Sequence, residues 1–135
     1  MKMNPVVHFE LPAEDSKRMS EFYTKAFGWQ TKQLGPEMGE YVVVTTTEVD
    51  EKTMRPKEPG AINGGFFHKS DKAKHPTVVI AVDDIHEAMK KVEEAGGKIT
   101  GGEKLGIPDE IPGVGLYIAI VDTEGNRVAL LQPKR

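Results

Sequence analysis

The sequence contains four histidines and no cysteine in 135 residues. The lack of thiols excludes a disulfide framework, a thiolate zinc site, an iron–sulfur cluster and a cysteine nucleophile. His8 and Glu10 stand out among the remaining chemistry-bearing residues. They are two apart in Val6-Val7-His8-Phe9-Glu10-Leu11, a strand pattern that puts both on one face and Val7, Phe9 and Leu11 on the other. A carboxylate beside an imidazole can orient it or tune it as a general base. Burial would lower the His8 pKa, and the Glu10 charge would oppose that shift. His75 lies two residues before Thr77 and would share its face if the strand reached that far. His8, Glu10 and His75 would then compose a His-carboxylate-His set. Pro76, however, marks the start of that strand and leaves His75 in a loop. His68, at a strand end, and His86, on the polar side of a helix, read as solvated side chains.

Other chemical motifs are missing. The glycines from Gly96-Gly97 to Gly101-Gly102 follow a helix instead of opening one, so they do not form a phosphate loop. There is no Gly-x-Ser-x-Gly elbow and no Asp-x-Asp-x-Asp calcium loop. Eighteen basic residues against 21 acidic ones give a net charge of −3, which argues against nucleic acid as a partner. No apolar run approaches the ~20 residues of a membrane helix. Met1-Lys2-Met3-Asn4-Pro5 leads into a strand without an apolar signal segment, so the expected location is cytoplasmic.

The chemistry must be positioned by one modest core. After the first strand, Ser16–Phe27 carries Met19, Phe22, Tyr23, Ala26 and Phe27 at helical spacing, with Asp15 or Ser16 as cap and Gly28 as stop. Strands are expected at Trp29–Leu34, Tyr41–Thr46 and Ala61–Phe67. The order then repeats. Thr77–Val82 is a strand, and Ile85, Ala88, Met89, Val92 and Ala95 form the inner stripe of a second helix, with Glu87 and Lys91 paired outside. Further strands follow at Lys98–Glu103, Leu116–Val121 and Arg127–Leu131. Ile111–Gly115 reads as a turn, and Asp122–Asn126 as a hairpin loop. The reading is β-α-β-β-β twice, with module one at about residues 5–68 and module two at about 76–133 of a single domain. The charged, proline-bearing stretch Thr47–Pro59 reads as a loop.

His8-Phe9-Glu10-Leu11-Pro12-Ala13-Glu14-Asp15, Phe22-Tyr23 and Phe27-Gly28-Trp29 resemble the opening of the vicinal oxygen chelate superfamily. So do Val79–Ile85, Glu94–Gly97 and Asp122–Asn126 in the second half. That group includes glyoxalase I, bleomycin-resistance proteins and extradiol dioxygenases. The resemblance implies an α+β fold: two tandem β-α-β-β-β modules form a curled mixed sheet around a central cavity, with the helices outside. It also implies a homodimer, with Trp29 either an interface anchor or a cap on the core. In metal-dependent members, four inward side chains hold a divalent ion. Carried over one by one, the first position is His8. The second falls in Ala61–Phe67 on Asn63 or Gly65, the third on Thr77 and the fourth on Ala129. Only His8 is a strong donor, so no cofactor is expected and a divalent metal is the lesser alternative.

The implied cavity would be lined by His8, Glu10, Asn63, Phe66, Thr77, Val79, Tyr117, Ala129 and Leu131, a mostly apolar wall with a few polar groups. Two functions are open. The first is a protein that binds or sequesters a small organic ligand over a degenerate metal site. The second is an enzyme, whether lyase, isomerase or dioxygenase, that uses relocated metal ligands or His8 and Glu10 as acid and base.

Overall fold

The computed structural model describes residues 2–134. Two compact units emerge: His8–Pro76, and Thr77 onward together with the segment before His8. The first unit carries strand β1 (Val6–Ala13, from His8 on), helix α1 (Ser16–Phe27), β2 (Gln30–Gln33), β3 (Val42–Thr45) and β4 (Asn63–His68). The second carries β5 (Thr77–Ala81), α2 (Ile85–Glu94), β6 (Lys98–Ile99), β7 (Asp109–Ile111), β8 (Gly115–Val121) and β9 (Arg127–Pro133).

Each unit is a mixed sheet with one helix. In the first unit the spatial order is β2-β3-β4-β1, with β1 parallel to β4 and the other pairs antiparallel. In the second unit the order is β6-β8-β9-β5, with β5 parallel to β9 and the rest antiparallel. The two orders coincide strand for strand. The duplication expected from element order is therefore present in the topology, and the fold is α+β built from two β-α-β-β-β modules. The one addition is β7, which pairs with β8 across the turn Ile111–Gly115. Flanking prolines hide these three residues from a sequence reading.

The helix ends follow from local chemistry. The Asp15 carboxylate accepts the Arg18 N–H at 3.0 Å, and Gly28 closes α1 at φ 73° with its N–H on the Thr24 carbonyl. Asp84 accepts from the His86 and Glu87 N–H groups. The Gln132 side chain takes the Ile85 N–H at 2.9 Å. Glu87 and Lys91 pair at 3.6 Å on the wet side of α2, where an ion pair contributes little.

Each helix covers one sheet face. Below α1, Phe66, Val42, Val44 and Ala13 form the core, joined by Phe9, Leu11, Met19, Tyr23 and Trp29. Trp29 stacks on Tyr23 with ring centroids 4.6 Å apart, so it caps this core. Below α2, Ile85, Ile118, Ile120, Leu130 and Val82 play the same part, with Ala88, Met89 and Val92 packed on them. The expected stripes are narrower than predicted. Phe22 is 57% and Phe27 63% exposed, because α1 touches its sheet along the Met19–Tyr23 row and these two rings pack sideways on Tyr23. Ala26, Ala95 and Val7 are exposed.

Candidate functional site

The site of interest lies on the sheet face opposite α1. Register alone defines it. Parallel pairing sets His8 beside Asn63 and Glu10 beside Gly65, while Phe9 and Leu11 turn toward the helix. Val43 of β3 pairs with Gly65, and Tyr41, two residues earlier, projects to the same side. The Tyr41 hydroxyl donates to Glu10 Oε2 at 2.9 Å, and His8 Nε2 lies 3.0 Å from the same hydroxyl oxygen. Glu10 is only 6% exposed, and His8 and Tyr41 are half-buried. A phenol has one proton to give. With that proton directed at Glu10, the hydrogen between His8 and Tyr41 belongs to Nε2, which leaves Nδ1 of the neutral ring as a lone pair.

Burial lowers the His8 pKa from its ordinary value of 6.5, and the Glu10 charge opposes this without reversing it. His8 therefore takes up a proton more readily in the unfolded chain than in the folded one. Its contribution to stability is fully present above the unfolded value and is lost as the pH falls through the lower folded value. Urea unfolding followed from about pH 8 to about pH 5 should show stability declining on the acid side, and His8→Gln should flatten that decline. An unchanged slope in the variant would assign the decline to other groups.

Local structure is arranged around Tyr41. The chain approaches it through Gly39 at φ 64° and Glu40 at φ 56°, two successive left-handed residues of which the second is not glycine. The Gln33 side chain donates to the Leu34 and Glu40 carbonyls and ties this turn down. On β4, Gly65 has no side chain, and a methyl group there would overlap the Tyr41 phenol. The sequence reading passed over Tyr41. The available signals were its parity with Val43 and the paired glycines inside a strand, which mark close approach of other groups.

Asn63 shares the face but is committed elsewhere. Its Oδ1 accepts from the Thr46 N–H at 2.7 Å, the Thr47 N–H at 3.1 Å and the Thr46 hydroxyl at 3.3 Å, which fastens the end of β3. Asn63→Ala should cost about 1–3 kcal/mol in chemical denaturation, because two backbone donors lose their acceptor. Phe66 is a correction. It pairs with Leu11 and Val42 and is buried under α1 against Tyr23, so it cannot line the face that carries His8. Side chains alternate along β4, and the register that selects Asn63 and Gly65 excludes Phe66.

In the second unit, Val79 pairs with Ala129, and Leu131 pairs with Ala81 and Tyr117. Thr77, Val79, Tyr117, Ala129 and Leu131 therefore lie on the sheet face away from α2. Thr77, Val79 and Ala129 are buried, and Thr77 Oγ1 accepts from the Arg127 guanidinium at 3.4 Å. His75 is exposed in the loop before β5. A groove of about 810 Å³ in this unit runs past Lys2, Asp83, Glu110, Ile111 and Gln132, and includes none of the residues predicted to line a site.

These residues do not fit the divalent ion that the resemblance implies. His8 keeps Nδ1 as the one strong donor, whereas Asn63 Oδ1 is taken by β3, Gly65 has no donor, the Thr77 hydroxyl serves Arg127, and Ala129 offers a methyl group, so one donor remains where three or four are needed. Among the described residues, no three His, Cys, Asp or Glu side chains group closely enough to hold a metal. Among the described residues, no helix is long and apolar enough to cross a membrane.

Comparison with known proteins bears on the fold. The chain is similar to a hypothetical protein from Bacillus halodurans C-125 at 14% identity and TM-score 0.68, covering 99% of this chain and 97% of that one. It is similar to methylmalonyl-CoA epimerase from Mycobacterium tuberculosis at 12% identity and TM-score 0.65, covering 96% and 88%. It is also similar to a glyoxalase/bleomycin resistance protein/dioxygenase superfamily member from Vibrio splendidus 12B01 at 15% identity and TM-score 0.61, covering 96% and 99%. No curated protein matches the sequence. Residues 6–130 match one family description from the first strand to the last, in agreement with the doubled topology, and the chain belongs to the Glyoxalase/Bleomycin resistance protein/Dioxygenase superfamily.

Proposed function

We propose that this chain is a small-molecule-binding member of its superfamily, in which a hydrogen-bonded His8–Tyr41–Glu10 set stands where a metal centre would be expected. The observation that carries this reading is the single Tyr41 hydroxyl bridging the imidazole and the buried carboxylate. Burying these groups costs free energy that an apolar wall would not, and the set places directional donors and acceptors on an otherwise aliphatic sheet face. The ligand is an organic molecule that is bound or sequestered, and the assembly is a homodimer.

Metal analysis after dialysis against zinc, nickel and iron tests the first half, with substoichiometric retention expected. One ion per chain, lost in His8→Ala, would reverse it. Thermal-shift screening against a metabolite library tests the second half. Compounds that raise the melting temperature of the wild type should lose that effect in His8→Gln. Compounds that stabilise both equally would place binding elsewhere.

A second reading is favoured by the His8 tautomer. A neutral imidazole with Nδ1 unprotonated is a competent base, and Glu10 is linked to it through one phenol. Several solved structures of similar fold are methylmalonyl-CoA epimerases, and inverting a stereocentre by proton removal and return needs such groups. In this reading the chain is an isomerase, and His8→Ala abolishes turnover without unfolding it.

A further inference from the structure

We infer that the slot over Gly65 is a subsite for an aryl hydroxyl group, filled in the resting protein by the chain's own Tyr41. The inference rests on the small-molecule reading of the His8–Glu10 face and names the chemical class that the face recognises.

Three observations converge. The first is the vacancy in β4. Gly65 sits mid-strand where glycine weakens a sheet, and the volume its side chain would occupy is taken by the Tyr41 hydroxyl and ring carbons. The second is the hydrogen-bond code. Glu10 accepts a hydrogen bond from, and His8 Nε2–H donates one to, the same oxygen at 2.9 and 3.0 Å. A hydroxyl satisfies both at once. A ketone oxygen cannot donate to Glu10, and an ammonium cannot accept from His8. The flat seat over the Gly65 backbone selects a hydroxyl on a planar ring. The third is the attachment of the occupant. Tyr41 is half-buried, in contrast to the fully buried ring of Phe66, and it hangs from a turn whose Glu40 adopts φ 56°. A non-glycine residue in that region is strained, and the turn recovers that strain as it relaxes when the ring swings out. An incoming phenol would therefore replace one phenol with another, conserving both hydrogen bonds.

The test uses the full-length Tyr41→Ala variant with phenol and benzene as probes, followed by calorimetry and by thermal unfolding. Removing the internal ring opens the slot, so phenol should bind this variant at least about tenfold more tightly than it binds the wild type, where Tyr41 competes. Phenol should also exceed benzene by about tenfold, the value of the hydroxyl contacts. Adding Gly65→Ala to the variant should remove phenol binding by refilling the slot. If Tyr41→Ala does not fold alone, phenol but not benzene should restore its circular dichroism by mass action. Equal affinity for phenol and benzene, equal phenol affinity in variant and wild type, or failure of phenol to restore an unfolded variant would each overturn the inference. If metabolite hits still depended on His8 in the wild type, the subsite would fail alone and the small-molecule reading would stand.

Discussion

Phe66→Ala will lower the free energy of unfolding by about 3–5 kcal/mol. Phe66 is 1% exposed at the centre of β4, between β1 and β3, and its ring meets Tyr23 at a centroid distance of 5.6 Å among Ala13, Val42 and Val44. Truncation removes the transfer free energy of a large ring and leaves a cavity that strands hydrogen-bonded on both sides cannot close. For a domain whose whole stability is about 5–15 kcal/mol, that loss will be visible as a large drop in the urea midpoint. The milder Phe66→Leu should cost about 1–2 kcal/mol and leave ligand binding unchanged, because the ring faces α1 and not the Tyr41 hydroxyl. A folded Phe66→Leu protein that no longer binds ligand would contradict that placement.

Gly65→Ala will cost about 2–4 kcal/mol, although it adds a single methyl group. The new carbon falls on the phenol of Tyr41, with the Gly65 backbone held in register by β1 and β3. The ring must leave, and its two hydrogen bonds leave with it. Glu10, at 6% exposure, then loses the hydrogen bond from Tyr41, and losing a hydrogen bond to a buried carboxylate is costly. A double-mutant cycle with Tyr41→Ala makes the mechanism measurable. Once the ring is absent the methyl group has room, so the second substitution should cost well under half of what it costs alone. Additive effects would mean that the clash is not with Tyr41. Gly64 provides a contrast on the same strand: a methyl group there would meet Phe9 on the opposite face, and Tyr41 should be unaffected.

The local elements were readable where short-range chemistry decides. Gly28 ends α1 as expected, Asp15 is the one of the two cap candidates Asp15 and Ser16 that opens it, and α2 is opened by Asp84, one of the two adjacent candidates Asp83 and Asp84. The Asp122 carboxylate, its pKa lowered chiefly by the Asn126 backbone N–H, closes the hairpin before β9 that Asp122–Asn126 announced. Strand β6 stops at Ile99, short of the Glu103 that the sequence pattern predicts, because the chain then bends through Thr100 and Gly101, which both donate to the Ala119 carbonyl. The buried face of α1 is narrower than its apolar stripe, since periodicity shows which residues share a stripe but not how closely a sheet approaches it.

Residue order by itself determined the doubled β-α-β-β-β pattern, the glycine stop of α1, the sharing of one face by His8 and Glu10, and the poverty of metal donors at Thr77 and Ala129. These depend on contacts a few residues apart or on side-chain identity alone. Tertiary structure decided that β4 lies between β1 and β3 with Gly65 beside Glu10, that Phe66 therefore turns inward, and that Tyr41, 31 residues from Glu10, completes the polar set. Strand register is a long-range choice, and shifting it by one residue exchanges the two faces of the sheet.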